Sequence, residues 1–139
     1  MHPVLHILAT AQALEKAGQR LFRPYGLTVA QFNVLNLLSD QPDGMRASDL
    51  ARALVVDASN VTGLMKRMKA EGYLRERENP TDRRQHVVTL TPKGKRVWET
   101  ANQEYCSSLA AVVSTLSPAE CKTMARVLQR IAAAVSPAP

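Results

Sequence analysis

Apolar residues recur at helical spacing along most of the chain, and short polar breaks separate the repeats. Residues 4–22 carry apolar side chains at intervals of three or four, with charged and amide residues between them, which predicts an amphipathic helix. The stretch RPYG at 23–26 breaks it. Thr28 and Gln31 then form a T-x-x-Q capping box, so a second helix is predicted to begin at Thr28. Its apolar residues cover more than half of its circumference, which indicates a mostly buried helix.

The middle of the chain combines a short helical pattern at 46–54 with a longer one at 57–71. Asp57 is a good N-cap for the second pattern. Four apolar residues follow at i, i+3, i+4 and i+7, and they predict a face turned toward the core: Val61, Leu64, Met65 and Met68. The opposite face is polar and cationic. A short helix, a brief turn and a second helix with a polar outer face indicate a helix-turn-helix.

A β-hairpin and two further helices are predicted after this unit. Gly72 is typical of a helix end, and the extended stretches 73–78 and 85–90 are joined by a charged loop, NPTDRR, at 79–84. Thr91 and a following proline predict the start of a long helix that ends near residue 116. The S-x-x-E box at 117–120 starts the last helix, whose 3-4 apolar spacing is typical of packing on another helix. The pattern predicts a mainly α protein with a small β-hairpin, in a single domain of residues 1–139.

The charge of the chain is concentrated in its middle third. The net charge is +6, and residues 44–96 hold twelve Lys/Arg against six Asp/Glu, whereas the basic and acidic residues outside this segment balance. A basic segment with neutral flanks indicates a polyanion as partner.

Other classes of protein find little support in the sequence. Cys106 and Cys121 lie in helical patterns, which favours core or interface packing over a disulfide framework. The N-terminus lacks a signal-peptide pattern and the apolar runs are far shorter than the ~20 residues that span a bilayer, so we expect a cytoplasmic protein without a membrane partner. No nucleophile, phosphate-binding or metalloprotease motif occurs, and His2 and His6 lack further ligands; we therefore expect no enzyme activity, cofactor or metal.

Five short motifs, in this order and spacing, resemble the MarR family of transcriptional regulators. They are SDLA at 48–51, VTGLMKRM at 61–68, EGYL at 71–74, DRR at 82–84 and LTPKG at 90–94. The resemblance implies a winged helix-turn-helix lobe at 28–91 and a helical dimerisation lobe at 1–27 and 92–139. It also implies a homodimer that binds a palindromic operator in double-stranded DNA. Two residues depart from the family pattern, since Val55 stands where glycine is usual and Arg46 where a capping Ser or Thr is common.

The resemblance and the charge pattern together assign DNA contacts. Side chains near the start of the 57–71 helix would bond base edges or phosphates, and Arg67 would bind phosphate. Arg84 would enter the minor groove with Asp82 holding its guanidinium, and Arg83 would contact the DNA backbone. The predicted DNA-binding residues are Ser59, Asn60, Thr62, Lys66, Arg67, Asp82, Arg83 and Arg84. Further phosphate contacts are expected from some of Arg46, Arg52, Lys69, Arg75 and Arg77.

The resemblance further implies control by a small, often phenolic, molecule that enters the crevice between the two lobes and releases the DNA. The predicted ligand contacts are Leu21, Phe22, Tyr25, Phe32 and Trp98. The regulator is predicted to be a repressor. Three alternatives stay open at this point: a redox-responsive regulator, a ligand-independent regulator, and a basic helical module that binds an acidic protein.

Overall fold

A computed structural model of the protein describes residues 2–54 and 58–136. This part of the chain forms six α-helices, a short 3₁₀ turn (Arg23–Tyr25) and one antiparallel pair of strands. The elements are α1 (Pro3–Phe22), α2 (Val29–Ser39), α3 (Ala47–Ala53), α4 (Ala58–Ala70), β1 (Leu74–Glu78), β2 (His86–Leu90), α5 (Pro92–Val113) and α6 (Pro118–Val135). The prediction of a mainly α fold with a β-hairpin is confirmed. None of these helices combines the length and apolar character that crossing a membrane requires.

The two predicted capping boxes are confirmed by hydrogen bonds. The Thr28 hydroxyl accepts the Gln31 N–H at 3.1 Å, and the Gln31 side chain accepts the Thr28 N–H at 2.9 Å. Ser117 and Glu120 form the same reciprocal pair at the start of α6. At the end of α4, Gly72 has a φ of 80°, the left-handed conformation in which glycine is favoured.

The long helix α5 ends at Val113, three residues before the predicted end. The hydroxyl groups of Ser114 and Thr115 donate to the carbonyl oxygens of Ala111 and Val112 at 2.8 and 2.7 Å. Side chains of this kind offer the last carbonyl groups an alternative to helical N–H donors, which favours a helix end.

The hairpin has its first pair at Leu74 and Leu90 and its last at Glu78 and His86. The strand β2 also pairs with Met45, in the segment before α3, through two backbone hydrogen bonds between Met45 and Val88 of 3.1 and 2.8 Å. The hairpin is therefore attached to the helix-turn-helix by backbone bonds as well as by its own connection.

The chain divides into two compact units, Met1–Glu104 and Tyr105–Pro139. The core of the first unit contains the stacked rings of Phe22 and Phe32, with centroids 4.1 Å apart. The apolar face predicted for α4 is confirmed, since all four of its side chains are buried. In α2, Phe32, Leu35 and two further apolar residues are buried as well, as its pattern predicted.

Several helices present apolar side chains to solvent in the single chain. In α1 the exposed residues are Val4, Leu5, Leu8 and Leu14. In the second unit they are Leu109, Val112, Val113, Met124, Val127, Leu128 and Val135. The apolar residues of α6 thus keep their predicted 3-4 spacing. Many of them are not covered by any other described residue.

Two helical glycines of the first unit lie in opposite environments, and this difference predicts opposite responses to substitution. A Cβ atom at Gly94 would lie 2.2 Å from the Tyr73 carbonyl oxygen, whereas one at Gly63 would lie 3.6 Å from its nearest neighbour, the Arg67 guanidinium. We expect Gly94→Ala to lower the free energy of unfolding by about 1–3 kcal/mol because the backbone must shift. Gly63→Ala should raise it by roughly 0.5–1 kcal/mol because alanine has the higher helix propensity.

Urea unfolding followed by circular dichroism measures both changes. Equal effects of the two substitutions would contradict the close approach of α5 to Tyr73.

Candidate nucleic-acid interface

The outward face of α4 carries the first group of predicted DNA-binding residues. Asn60, Thr62, Lys66 and Arg67 are exposed. They are held in fixed positions because the opposite face of the helix is buried in the core. The side chain of Ser59 and the residues Val55 and Asp57 lie outside the part of the chain that the structure describes.

The tip of the hairpin carries the second group, and Asp82, Arg83 and Arg84 are all exposed. Asp82 Oδ1 accepts the backbone N–H of Arg84 at 3.0 Å. Asn79 Oδ1 accepts the backbone N–H and the hydroxyl of Thr81 at 3.1 and 2.9 Å. The sequence had predicted a bond from Asp82 to the Arg84 guanidinium. Among the described residues, Asp82 instead bonds the backbone of the loop.

Several cations of the basic segment have internal partners. Lys69 pairs with Glu76 at 2.9 Å. The Arg77 guanidinium donates to the Pro42 carbonyl oxygen at 2.9 Å, and its Nε is buried. Arg77 thus joins the hairpin to the loop before α3, which is a structural role.

The remaining cations differ in their partners. Arg75 contacts the Thr89 hydroxyl at 3.4 Å, at the long end of hydrogen-bond distances. By contrast, six exposed cations of the segment have no side-chain hydrogen bond or ion pair to any described residue: Lys66, Arg67, Arg83, Arg84, Lys95 and Arg96. The first four lie on the outer face of α4 and at the hairpin tip, and the last two lie near the start of α5.

A cluster of charged side chains around α3 was not predicted from the sequence. Arg46 donates to Asp49 through Nε at 2.6 Å and through a terminal nitrogen at 3.1 Å, and Arg52 donates to the same carboxylate. These bonds, first from Arg46 and then from Arg52, hold the pKa of Asp49 below its usual range, and the bond to Asp49 raises the pKa of Arg46. The i, i+3 spacing of the three residues was the signal that could have revealed the cluster.

Arg46 begins α3 without a capping bond from its side chain, as its departure from the family pattern had suggested. Its contact with Asp49 is instead an exposed ion pair, which contributes little to stability.

The residues predicted to contact a ligand fall into two groups. Phe22 and Phe32 are buried core residues, 2% and 1% exposed. Leu21, Tyr25 and Trp98 are partly exposed.

The polar atoms of the two partly exposed rings have partners. The Tyr25 hydroxyl donates to the Glu104 carboxylate at 2.5 Å, and the Trp98 indole N–H donates to the Asn36 side-chain oxygen at 3.1 Å. The bond to Glu104 is the main cause that raises the pKa of Tyr25, with burial and the nearby negative charge adding to it. Within residues 2–54 and 58–136, no group of three or more His, Cys, Asp or Glu side chains is placed to hold a metal ion.

Comparisons with known proteins find related sequences and similar folds. A sequence model of the MarR family matches residues 25–85. The transcriptional activatory protein BadR of Rhodopseudomonas palustris is 41% identical over 95 residues, which cover 67% of this chain and 54% of BadR. The matched part of the chain spans about half the length of the curated relatives.

Solved structures match over nearly the whole chain. BpsR of Bordetella bronchiseptica, whose structure addresses the regulation of its DNA binding by 6-hydroxynicotinic acid, is 31% identical with a TM-score of 0.78, and the match covers 94% of each chain. AbsC of Streptomyces coelicolor, a MarR family transcriptional regulator, is 24% identical with a TM-score of 0.85, over 94% of this chain and 89% of AbsC. At that identity AbsC supports the fold alone.

Proposed function

This chain belongs to the MarR family of transcriptional regulators, and we propose that it binds double-stranded DNA through α4 and the hairpin tip. The observation that carries the proposal is the position of four of the unpaired cations, which lie at the two elements proposed to meet DNA. Lys66 and Arg67 lie on the exposed face of α4, and Arg83 and Arg84 lie at the exposed tip. Cations without internal partners are free to replace counterions on phosphates, which makes binding strongly dependent on salt.

The dimensions of α4 suit the major groove. Its 13 residues span ~20 Å. The groove is ~12 Å wide, admits one helix, and presents base edges that amide and hydroxyl side chains can bond. Asn60 and Thr62, in the first half of the helix, are the residues proposed to read bases. Arg84 at the hairpin tip would enter a narrow minor groove, where negative potential is concentrated.

The exposed apolar residues of α1, α5 and α6 support a homodimer. Exposed apolar side chains in such number are typical of an interaction site. The proposed occupant is a second copy of the chain, because the proposed DNA site is an inverted repeat with two-fold symmetry. The two α4 helices would then lie one turn of DNA apart, ~34–36 Å.

A small aromatic acid is the proposed effector. BpsR, whose DNA binding is regulated by 6-hydroxynicotinic acid, is 31% identical to this chain. Tyr25 and Trp98 offer partly exposed rings on which an aromatic molecule could stack, and Leu21 adds apolar surface. The rings of Phe22 and Phe32 stack on each other in the core and offer the effector little exposed surface.

Repression is the proposed effect on transcription. A dimer that occupies two successive major grooves covers about 20 base pairs, which excludes polymerase where the site overlaps a promoter. Activation is a second candidate because BadR, 41% identical, is named a transcriptional activatory protein. In vitro transcription from a promoter that overlaps the bound site distinguishes the two, since repression lowers the transcript level and activation raises it.

Substitution of Arg84 tests the proposed contact between the hairpin tip and DNA. We expect Arg84→Ala to weaken binding to a duplex selected from a random pool by about 1–3 kcal/mol, with an unchanged circular dichroism spectrum. Fluorescence anisotropy measures the affinity, and Arg20→Ala in α1 removes the same charge as a control. An unchanged affinity would refute the role of Arg84, and a random pool without any enriched sequence would favour the protein-interaction module instead.

A charge placed on the apolar face of α6 tests the dimer. Leu128 is 42% exposed in the single chain, and Leu128→Glu should shift the protein from dimer to monomer because the carboxylate would be desolvated in the interface. Sedimentation equilibrium measures the association. Gln129→Glu adds the same charge at the neighbouring position and should leave the dimer intact; equal behaviour of the two variants would contradict this interface.

Titration with 6-hydroxynicotinic acid tests the effector site. Trp98 is the single tryptophan of the sequence, so its fluorescence reports binding near this ring. We expect the acid to change that fluorescence and to weaken DNA binding by about 5- to 150-fold, the usual range of coupling between two sites. Nicotinamide, which lacks the carboxylate and the hydroxyl, is the control. Release of DNA without a change in fluorescence would place the effector elsewhere.

A further inference from the structure

The end of α4 is joined to the start of α5 by a group of hydrogen bonds. The Thr91 hydroxyl donates to the Gly72 carbonyl oxygen at 2.5 Å and accepts the Gly94 N–H at 3.0 Å. The Thr91 N–H donates to the Tyr73 carbonyl oxygen at 3.0 Å. One threonine thus caps α5 and fastens it to the turn that follows α4.

Lys93 adds a charged contact to this α4–α5 joint, which is formed by Gly72, Tyr73, Thr91 and Gly94. Its ammonium donates to the Glu71 carbonyl oxygen at 2.7 Å and lies over the Tyr73 ring, 5.0 Å from the centroid. Cations are favourable at the carbonyl end of a helix and over an aromatic face. The Glu71 side chain in turn accepts a bond from Gln31 of α2 at 3.1 Å. The end of α4 is therefore fixed against the first turns of two other helices.

We propose that Lys93 is a positioning residue for DNA recognition, which sets the direction of α4 and contributes to sequence discrimination without contacting DNA. This inference rests on the proposed binding of DNA through α4. Asn60 and Thr62, the proposed base-reading residues, lie near the opposite end of the helix from the joint. Over the ~20 Å length of α4, a tilt of about 10° at the joint displaces the far end by about 3 Å. A hydrogen bond to a base edge does not survive such a displacement.

The partners of Lys93 separate this role from a phosphate contact. Its ammonium already bonds Glu71 and faces the Tyr73 ring, so it is not free to replace counterions on DNA. Lys95, two residues along the same helix, is exposed and has no side-chain partner among the described residues. The two lysines carry the same charge, but only Lys93 takes part in the joint. They therefore provide a matched pair of positions for substitution.

The experiment compares Lys93→Met, Lys93→Arg and Lys95→Met with the unchanged protein. Methionine keeps an unbranched apolar stem and removes the ammonium, whereas arginine keeps a donor and a cation. Fluorescence anisotropy gives the affinity for the duplex selected from a random pool and for a scrambled duplex of the same length. Each titration is repeated over a range of salt concentrations, at a temperature where circular dichroism shows every variant folded.

For Lys93→Met, we expect the affinity for the selected duplex to fall about tenfold relative to Lys95→Met, the size of effect that loss of a bond from a charged donor produces. The affinity for the scrambled duplex and the salt slope should equal those of Lys95→Met. Lys93→Arg should restore most of the discrimination.

Two results would overturn the inference while leaving the proposed function in place. One is equal discrimination by Lys93→Met and Lys95→Met. The other is an equal loss on both duplexes with a salt slope smaller by about 0.9 than that of Lys95→Met, which identifies a phosphate contact. Failure of the unchanged protein to distinguish the two duplexes would overturn the proposed function and the inference together.

Discussion

Burial of one face of α4 is the interaction on which the proposed interface depends. Val61, Leu64, Met65 and Met68 are each less than 10% exposed, and burial of side chains of this size contributes roughly 1.5–3 kcal/mol apiece. Their positions fix which residues point outward, because the helix has only one rotation that buries all four. Asn60, Thr62, Lys66 and Arg67 are exposed as a consequence of that packing. The packing of the opposite face therefore sets the direction in which these side chains point.

The cations of the middle segment fall into two groups, those with partners inside the protein and those without. Arg77 and Lys69 bond to other parts of the same lobe and hold the hairpin in place. No such partners are found among the described residues for four other cations on α4 and at the hairpin tip: Lys66, Arg67, Arg83 and Arg84. Because only cations without internal partners can exchange partners with phosphate at little cost, the charge available for the proposed DNA contact is smaller than the number of Lys and Arg residues in the segment implies.

The helices α1, α5 and α6 carry apolar side chains that are exposed in the single chain. In α6, Met124, Val127 and Leu128 follow the same i, i+3, i+4 spacing as the buried face of α4. A regular apolar face that remains in water is unfavourable, so such a face favours association. The exposed apolar residues of α6 and the two-fold symmetry of the proposed DNA site both favour the proposed partner, a second copy of the chain.

The sequence by itself determined the elements and the family. Capping boxes, Gly72 and the spacing of apolar residues predicted every helix and the hairpin to within a few residues, because these signals act between residues that are close along the chain.

Tertiary structure decided which side chains have partners. Arg77 meets Pro42, Lys93 meets Glu71, and Asp82 bonds a backbone N–H instead of the guanidinium predicted for it. Contacts between distant residues depend on how the elements pack, and small differences in that packing decide between two bonds of similar energy. A count of charges in the sequence does not contain that information.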